Sequence, residues 1–181
     1  MKTPRQRLLA HASDPRDVAT RAFAGALAAA GDALPRPLGL PEEAFAALLR
    51  RYFPHADDAT DWRTPSSGCA ALRVEEYDDL VALLYEHRSG DGDETVWLAS
   101  AVAAACLGDD HLWQDLGLAS RDELSGLLRT HFGALYAKNG GNMKWKKFFY
   151  QQLCERAEVR ACAAPSCAVC HDYAQCFGPE A

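Results

Sequence analysis

Val96-Trp97-Leu98-Ala99-Ser100-Ala101-Val102-Ala103-Ala104-Ala105-Cys106-Leu107 is the stretch on which the fold turns. It is apolar on every side, and its alanines let neighbours approach closely from several directions, so it reads as a central helix buried among others. Twelve residues fall well short of the roughly 20 that cross a bilayer, which makes a core helix the expectation and not a membrane span. Working outward, helical punctuation recurs while alternating β-branched runs are missing. The predicted class is all-α, a compact helical domain of about five to seven helices.

Upstream, Asp14 before Pro15, with Asp17 in the first turn, has the form of an N-cap followed by proline at N1, and Gly31 closes that helix. Pro41 opens a second helix with Phe45, Leu48, Leu49 and Tyr52 on one stripe, ended by Pro54. Pro54 to Ala71 is polar and proline-bearing and reads as a surface loop pinned by Trp62. A helix from Val74 to Arg88 turns Tyr77, Leu80, Val81, Leu84 and Tyr85 inward. Asp91-Gly92-Asp93-Glu94 lacks the ligand spacing of a calcium loop and reads as a solvated turn.

Downstream, His111 to Leu116 forms one short turn or helix. Ser120-Arg121-Asp122-Glu123 is a capping box opening a helix through Leu124, Leu127, Leu128 and Phe132. Asn139 to Asn142 is a break, and Asn142 is expected to cap a last helix. There Trp145, Phe148, Phe149 and Leu153 share an apolar face while Lys144, Lys146 and Lys147 lie largely off it.

At 181 residues the chain has the length of one ordinary domain, and 49% hydrophobic with 24% charged residues leaves no case for global disorder. The formal charge of -6 argues against a nucleic-acid binder, which presents a basic face to phosphate. Met1 to Leu9 has no apolar h-region, so a cytoplasmic chain with a frayed start is expected. No P-loop, dinucleotide fingerprint or nucleophile-base pair is visible, and the reading is of a protein that is not an enzyme.

Four of the seven cysteines stand together as Cys162-x4-Cys167-x2-Cys170-x5-Cys176. A disulfide framework fits poorly, because cytosolic thiols are kept reduced and a domain of this size builds a core without staples. Crowded thiolates suit soft metals. Zinc in a knuckle is one candidate. A cuboidal metal-sulfide cluster is another, since unequal gaps let a loop wrap several corners, and the gaps differ from those of an ordinary ferredoxin electron carrier. Cys167-Ala168-Val169-Cys170-His171 also matches the haem-attachment motif, although covalent haem goes with export. His171 is a metal ligand, a hydrogen-bond donor to sulfide or an exposed loop residue. The chain thus divides into a helical domain, 1–156, and an irregular cysteine-rich metal-binding segment, 157–181, packed on it or extending from it.

Met143-Lys144-Trp145-Lys146-Lys147-Phe148-Phe149-Tyr150, Leu153-Cys154-Glu155 and the quartet ending Cys176-Phe177-Gly178 resemble the NifQ family of nitrogen-fixation proteins. Asp110 to Leu118, Arg121 and Glu123-Leu124 extend the likeness, which runs from about Trp97 onward. Before Leu40 nothing specific is recognised. The family's cysteine spacing maps onto Cys162, Cys167, Cys170 and Cys176. The resemblance implies a carrier that holds a Mo-Fe-S cluster on these four and supplies molybdenum for iron-molybdenum cofactor assembly. The cofactor scaffold NifEN and the nitrogenase iron protein NifH are its implied partners. The alternatives are a zinc-knuckle interaction module or an iron-sulfur electron carrier.

Several residues keep two readings. Cys154 is either an auxiliary thiolate or a small buried helix residue. His111 and Asp115, four apart, either reach a metal together or orient neighbouring loops. Lys144, Lys146 and Lys147, with Lys138 nearby, either steer an oxyanion or an acidic partner or form a solvated face. Cys69 and Cys106 are expected to pack as small apolar groups. The segment 157–181 is expected to fold around its metal.

Overall fold

The computed structural model describes residues 2–30, 34–56, 73–158, 170 and 173–180. Its helices run in the order α1 (Pro4–Leu9), α2 (Val18–Ala30), a 3₁₀ turn (Pro37–Gly39), α3 (Glu42–Tyr52), α4 (Arg73–Glu86), α5 (Asp93–Cys106), α6 (Leu112–Asp115), α7 (Arg121–His131), α8 (Gly133–Lys138), α9 (Trp145–Arg156) and α10 (Tyr173–Phe177). Among the described residues there is no strand, and no helix is long and apolar enough to cross a membrane.

The class is all-α, but ten α-helices among the described residues replace the expected five to seven. The excess is short: α1, α8 and α10 have six, six and five residues, too few for an amphipathic period to show, while α6 is the short helix expected between His111 and Leu116. The start is not frayed. Thr3 accepts from the Gln6 amide, the Gln6 side chain accepts from the Thr3 amide, and Leu8 is fully buried. The C-terminal segment is likewise not wholly irregular, since Cys176 lies within α10. Among the described residues no three His, Cys, Asp or Glu side chains converge to hold a metal, so the expected metal-binding cysteine cluster is not found there. Cys162, Cys167 and His171 lie outside the described residues.

Every residue of α5 from Trp97 to Cys106 is buried, which confirms it as the central element. α2 and α4 pack against it. Small side chains on both α2 (Ala22, Ala26) and α5 (Ala101, Ala105) are fully buried. Gly25 lies close to the end of α6: a Cβ there would lie 2.2 Å from the Leu116 carbonyl carbon. Asp17, not Asp14, caps α2, accepting from the Thr20 amide at 2.8 Å and from its hydroxyl at 2.9 Å. Asp14 instead accepts from the Arg16 amide and shapes the preceding turn.

α3 buries Leu48 and Tyr52 as its stripe predicts, with Phe45 and Leu49 half-buried beside them. On α4 the expectation fails at one position: Tyr85 is exposed beneath the Arg88 guanidinium, and Leu83 takes the inward place. Asp91 accepts from Arg88, and Asp93 and Glu94 form the first turn of α5, where Glu94 accepts from the Tyr52 hydroxyl. Ser120 caps α7 as expected. The Glu123 carboxylate closes on the Ala119 amide and on Arg21 of α2, so the box is completed one residue earlier. α9 starts at Trp145 with Lys144 at its cap position, and Asn142 takes a left-handed φ of 56°. Asn139 holds the turn instead, bonding both the amide and the carbonyl of Met143. The expected loop from Pro54 to Ala71, with Trp62 and Cys69, lies almost wholly outside the described residues, as does Gly31.

Candidate functional site

The site is built on the first turn of α9. Trp145, Phe148 and Phe149 lock that helix into the core, with Trp145 stacked on Tyr136 at 5.8 Å and its indole N–H donating to Ser125. Leu153, the last member of the predicted face, is half-buried. Rigid aromatic packing on one side leaves Lys144, Lys146 and Lys147 to project from the other flank.

Lys146 is not a solvated cation. Its ammonium donates to Asp115 Oδ2 at 2.5 Å and to the Gly108 carbonyl at 2.8 Å, and the ion pair is mostly shielded from water. Burial raises the Asp115 carboxyl above the usual carboxylate range, and the Lys146 hydrogen bond and charge oppose that rise. Gly108 is required for this approach, because a Cβ there would stand 2.6 Å from Asp115 Oδ2. The pair ties α6 to α9, so Asp115 positions neighbouring elements, one of the two readings open to it in the sequence.

The chain leaves α9 at Arg156 and is back beside its first turn at Cys176, whose carbonyl accepts from the Lys144 amide at 2.7 Å. The Lys144 ammonium reaches the Ala174 carbonyl at 3.4 Å, and the Cys170 carbonyl accepts from the Tyr173 amide at 3.3 Å. Cys170 and Cys176 are both half-buried. Cys154 is not brought to them along the helix: it lies ten residues after Lys144, about 15 Å along the α9 axis from the turn that holds the Cys176 backbone.

Arg121 clips the arm down. Its guanidinium donates to Glu180 at 2.9 Å, to the Asn142 side chain at 3.0 Å and to the Met143 carbonyl at 2.7 Å. The Glu180 side chain is only 5% exposed, with His111 Nδ1 3.9 Å away. Sequence reading gave Arg121 no such role and passed over Glu180, since no local pattern marks a pair 59 positions apart.

Between α6, α9 and the arm lies a cleft of about 180 Å³, lined by His111, Lys144, Lys146, Lys147, Gln175 and Glu180. Lys138 does not join it. It donates to His87 Nε2 at 2.9 Å and borders a separate cleft with Phe148 and Phe177. Cys106 is fully buried in α5, and burial pushes its thiol up to about 12, which makes it an inert packing group as expected.

Fold and site together define an all-α protein whose cysteine-bearing C-terminal arm is seated on the basic end of an aromatic helix. The chain belongs to the NifQ family: the sequence model of that family matches residues 18–178, reaching back through α2, where no likeness was recognised from the sequence. It is 46% identical over 156 residues to Protein NifQ of Azotobacter vinelandii, covering 81% of this chain and 80% of that protein. It is 38% identical over 149 residues to Protein NifQ of Klebsiella pneumoniae, covering 79% and 87%, and 37% identical over 144 residues to that of Rhodobacter capsulatus, covering 79% and 77%. No solved structure matches it. Family membership places the chain in nitrogen-fixation biology.

Proposed function

We propose that the chain is a non-catalytic carrier that holds molybdenum in a Mo-Fe-S cluster on Cys162, Cys167, Cys170 and Cys176 and gives it up for iron-molybdenum cofactor assembly. The observation that carries this reading is the four-thiol spacing in a chain of the NifQ family. The donor set suits the cargo, because thiolates are the usual ligands of iron-sulfide corners. Two further facts support it. Cys106 is sealed in the core, which removes it from the thiols available to a metal. The Lys144–Cys176 backbone bond joins the last cysteine to the rigid aromatic helix, so a cluster there would be presented at a fixed place on the protein surface. Release is ligand exchange, with sulfides and thiolates gripping iron while molybdenum keeps a labile ligand. The cofactor scaffold NifEN is the proposed acceptor, and the nitrogenase iron protein NifH is the proposed partner that brings ATP chemistry.

Metal and acid-labile sulfide analysis of the anaerobically purified protein tests this. Replacing any one of the four cysteines by Ser is expected to lower iron and molybdenum together with unchanged helical circular dichroism, while Cys106→Ala keeps both. Full metal content in two or more of the four variants would refute the quartet. A colourless protein containing zinc and no sulfide would establish the knuckle instead.

A further inference from the structure

The turn from α8 into α9 is held in an uncommon shape. Asn142 has a φ of 56°, a left-handed state that L residues other than Asn and Asp seldom adopt. It is fixed from two sides. Asn139 bonds the amide and the carbonyl of Met143 at 2.8 and 2.9 Å. Arg121 donates to the Asn142 carbonyl at 3.1 Å, to the Asn142 side-chain oxygen at 3.0 Å and to the Met143 carbonyl at 2.7 Å. The turn delivers the chain to Lys144, whose amide, at the start of α9, has no partner inside the helix. The Cys176 carbonyl takes it at 2.7 Å.

The same guanidinium holds the arm. Its Nη1 donates to Glu180 at 2.9 Å while Nη2 serves the turn, and the ion pair is largely shielded from water. One side chain can do both because the planar guanidinium fixes several donors in one geometry, which a lysine ammonium cannot. Arg121 is itself well anchored: it is the first residue of α7, behind the Ser120 cap and ahead of the buried Leu124 and Leu128. Cys176 is therefore tethered twice. Its own backbone is bonded to the start of α9, and Glu180, four residues on, is bonded to the residue that shapes the turn. Phe177 packs alongside, with its ring 3.4 Å from where a Cβ on Gly141 would stand. None of these contacts involves a cysteine sulfur.

We propose that Arg121 is a positioning residue for metal binding: through Glu180 on one side and the Asn142–Met143 turn on the other, it fixes Cys176 on the protein body before metal arrives, making it the anchoring thiolate of the site. The metal role rests on the carrier reading above, whereas the fixed place of Cys176 rests on the contacts alone. A ligand held in advance has less freedom to lose when metal binds, and neighbours that orient it strengthen the site without touching the metal.

Alkylation of the metal-free full chain with iodoacetamide, followed cysteine by cysteine by peptide mass spectrometry, tests the fixed position. Glu180→Ala frees the arm yet leaves Arg121 on the turn. In it Cys176 is expected to react about tenfold faster than in the parent, the lower end of what a hydrogen bond to a charged group contributes, with Glu180→Gln in between. Arg121→Ala should expose Cys176 at least as far. Cys154, far along α9, and the buried Cys106 should keep their parent rates, which a general loosening of the fold would not allow. In the anaerobically purified protein, Glu180→Ala should yield iron to a chelator severalfold faster than the parent. Equal Cys176 rates in parent and Glu180→Ala overturn the proposal, as does acceleration of Cys154 together with Cys176 or parent-like iron release from the variant. A parent chain that takes up neither iron nor molybdenum ends the carrier reading and the metal role with it, whereas unequal alkylation would still establish that Arg121 and Glu180 hold Cys176 in place.

Discussion

α2 and α5 pack on one another, and Phe23, Leu27, Leu98 and Val102, with Ala22, Ala26, Ala101 and Ala105, are essentially inaccessible to water. The arm from Tyr173 to Glu180 has no fully buried residue and is held by the Lys144–Cys176 backbone bond, the Arg121–Glu180 pair and a half-buried Phe177. Burial is non-directional, is not screened by salt and is lost only when the helices separate. Hydrogen bonds and ion pairs are few, directional and screened, so a segment held by them opens at lower free energy than the core. The molecule therefore combines a cooperative scaffold with a more weakly held attached piece, an arrangement compatible with the proposed carrier role.

The comparison breaks most visibly in the core. Leu98→Ala should cost about 2–5 kcal/mol, the usual range for a fully buried leucine, seen as a lower urea midpoint with one transition for all helices. Two separated transitions would show that the helices do not form one cooperative unit.

Arg121→Ala should cost less, about 1–3 kcal/mol, because it removes charge-assisted bonds to Glu180 and to the Asn142–Met143 turn. Its signature is local: amide exchange at Lys144 and Gly178, whose N–H groups bond the Cys176 and Ala174 carbonyls, should accelerate while the α5 amides keep their protection. Equal acceleration in both regions would erase the distinction drawn between them.

The smallest effect is expected at His131, where α7 meets α5. Its ring shares a hydrogen bond with Thr95 at 2.8 Å, and burial lowers its pKa, with Glu94 opposing. The unfolded chain therefore binds the proton more readily. The stability contributed by the neutral ring is complete above about pH 6.5 and is lost as pH falls through the depressed native value. Thermal melts from pH 7.5 down to 5 should show a decline that is shallower in His131→Gln. Parallel curves for the two proteins would remove His131 from the account.

How far the sequence could be read depends on the range of each signal. The period-3.6 stripes of α3, α7 and α9 and the all-round apolar α5 were legible because each is written within one helix. Tyr85 and Leu83 exchanged places because both sit near the edge of the α4 stripe, where the neighbouring helices choose between them. The lysines show the limit most clearly: three neighbouring cations look alike in sequence, yet Lys146 is bound to Asp115 while Lys144 and Lys147 pair with no carboxylate among the described residues.

The sequence alone determined that the protein is helical, that Val96 to Leu107 lies at its centre, and that Cys162, Cys167, Cys170 and Cys176 share one short segment, since hydrophobic periodicity and ligand spacing are local properties of the chain. Tertiary structure decided the rest. It set Arg121 on Glu180 and Lys146 on Asp115, placed the Cys176 backbone at one end of α9 with Cys154 far along it, and sealed Cys106 away. Charge pairs and burial depend on which surfaces the packed helices bring together across tens of residues, and no local pattern carries that information.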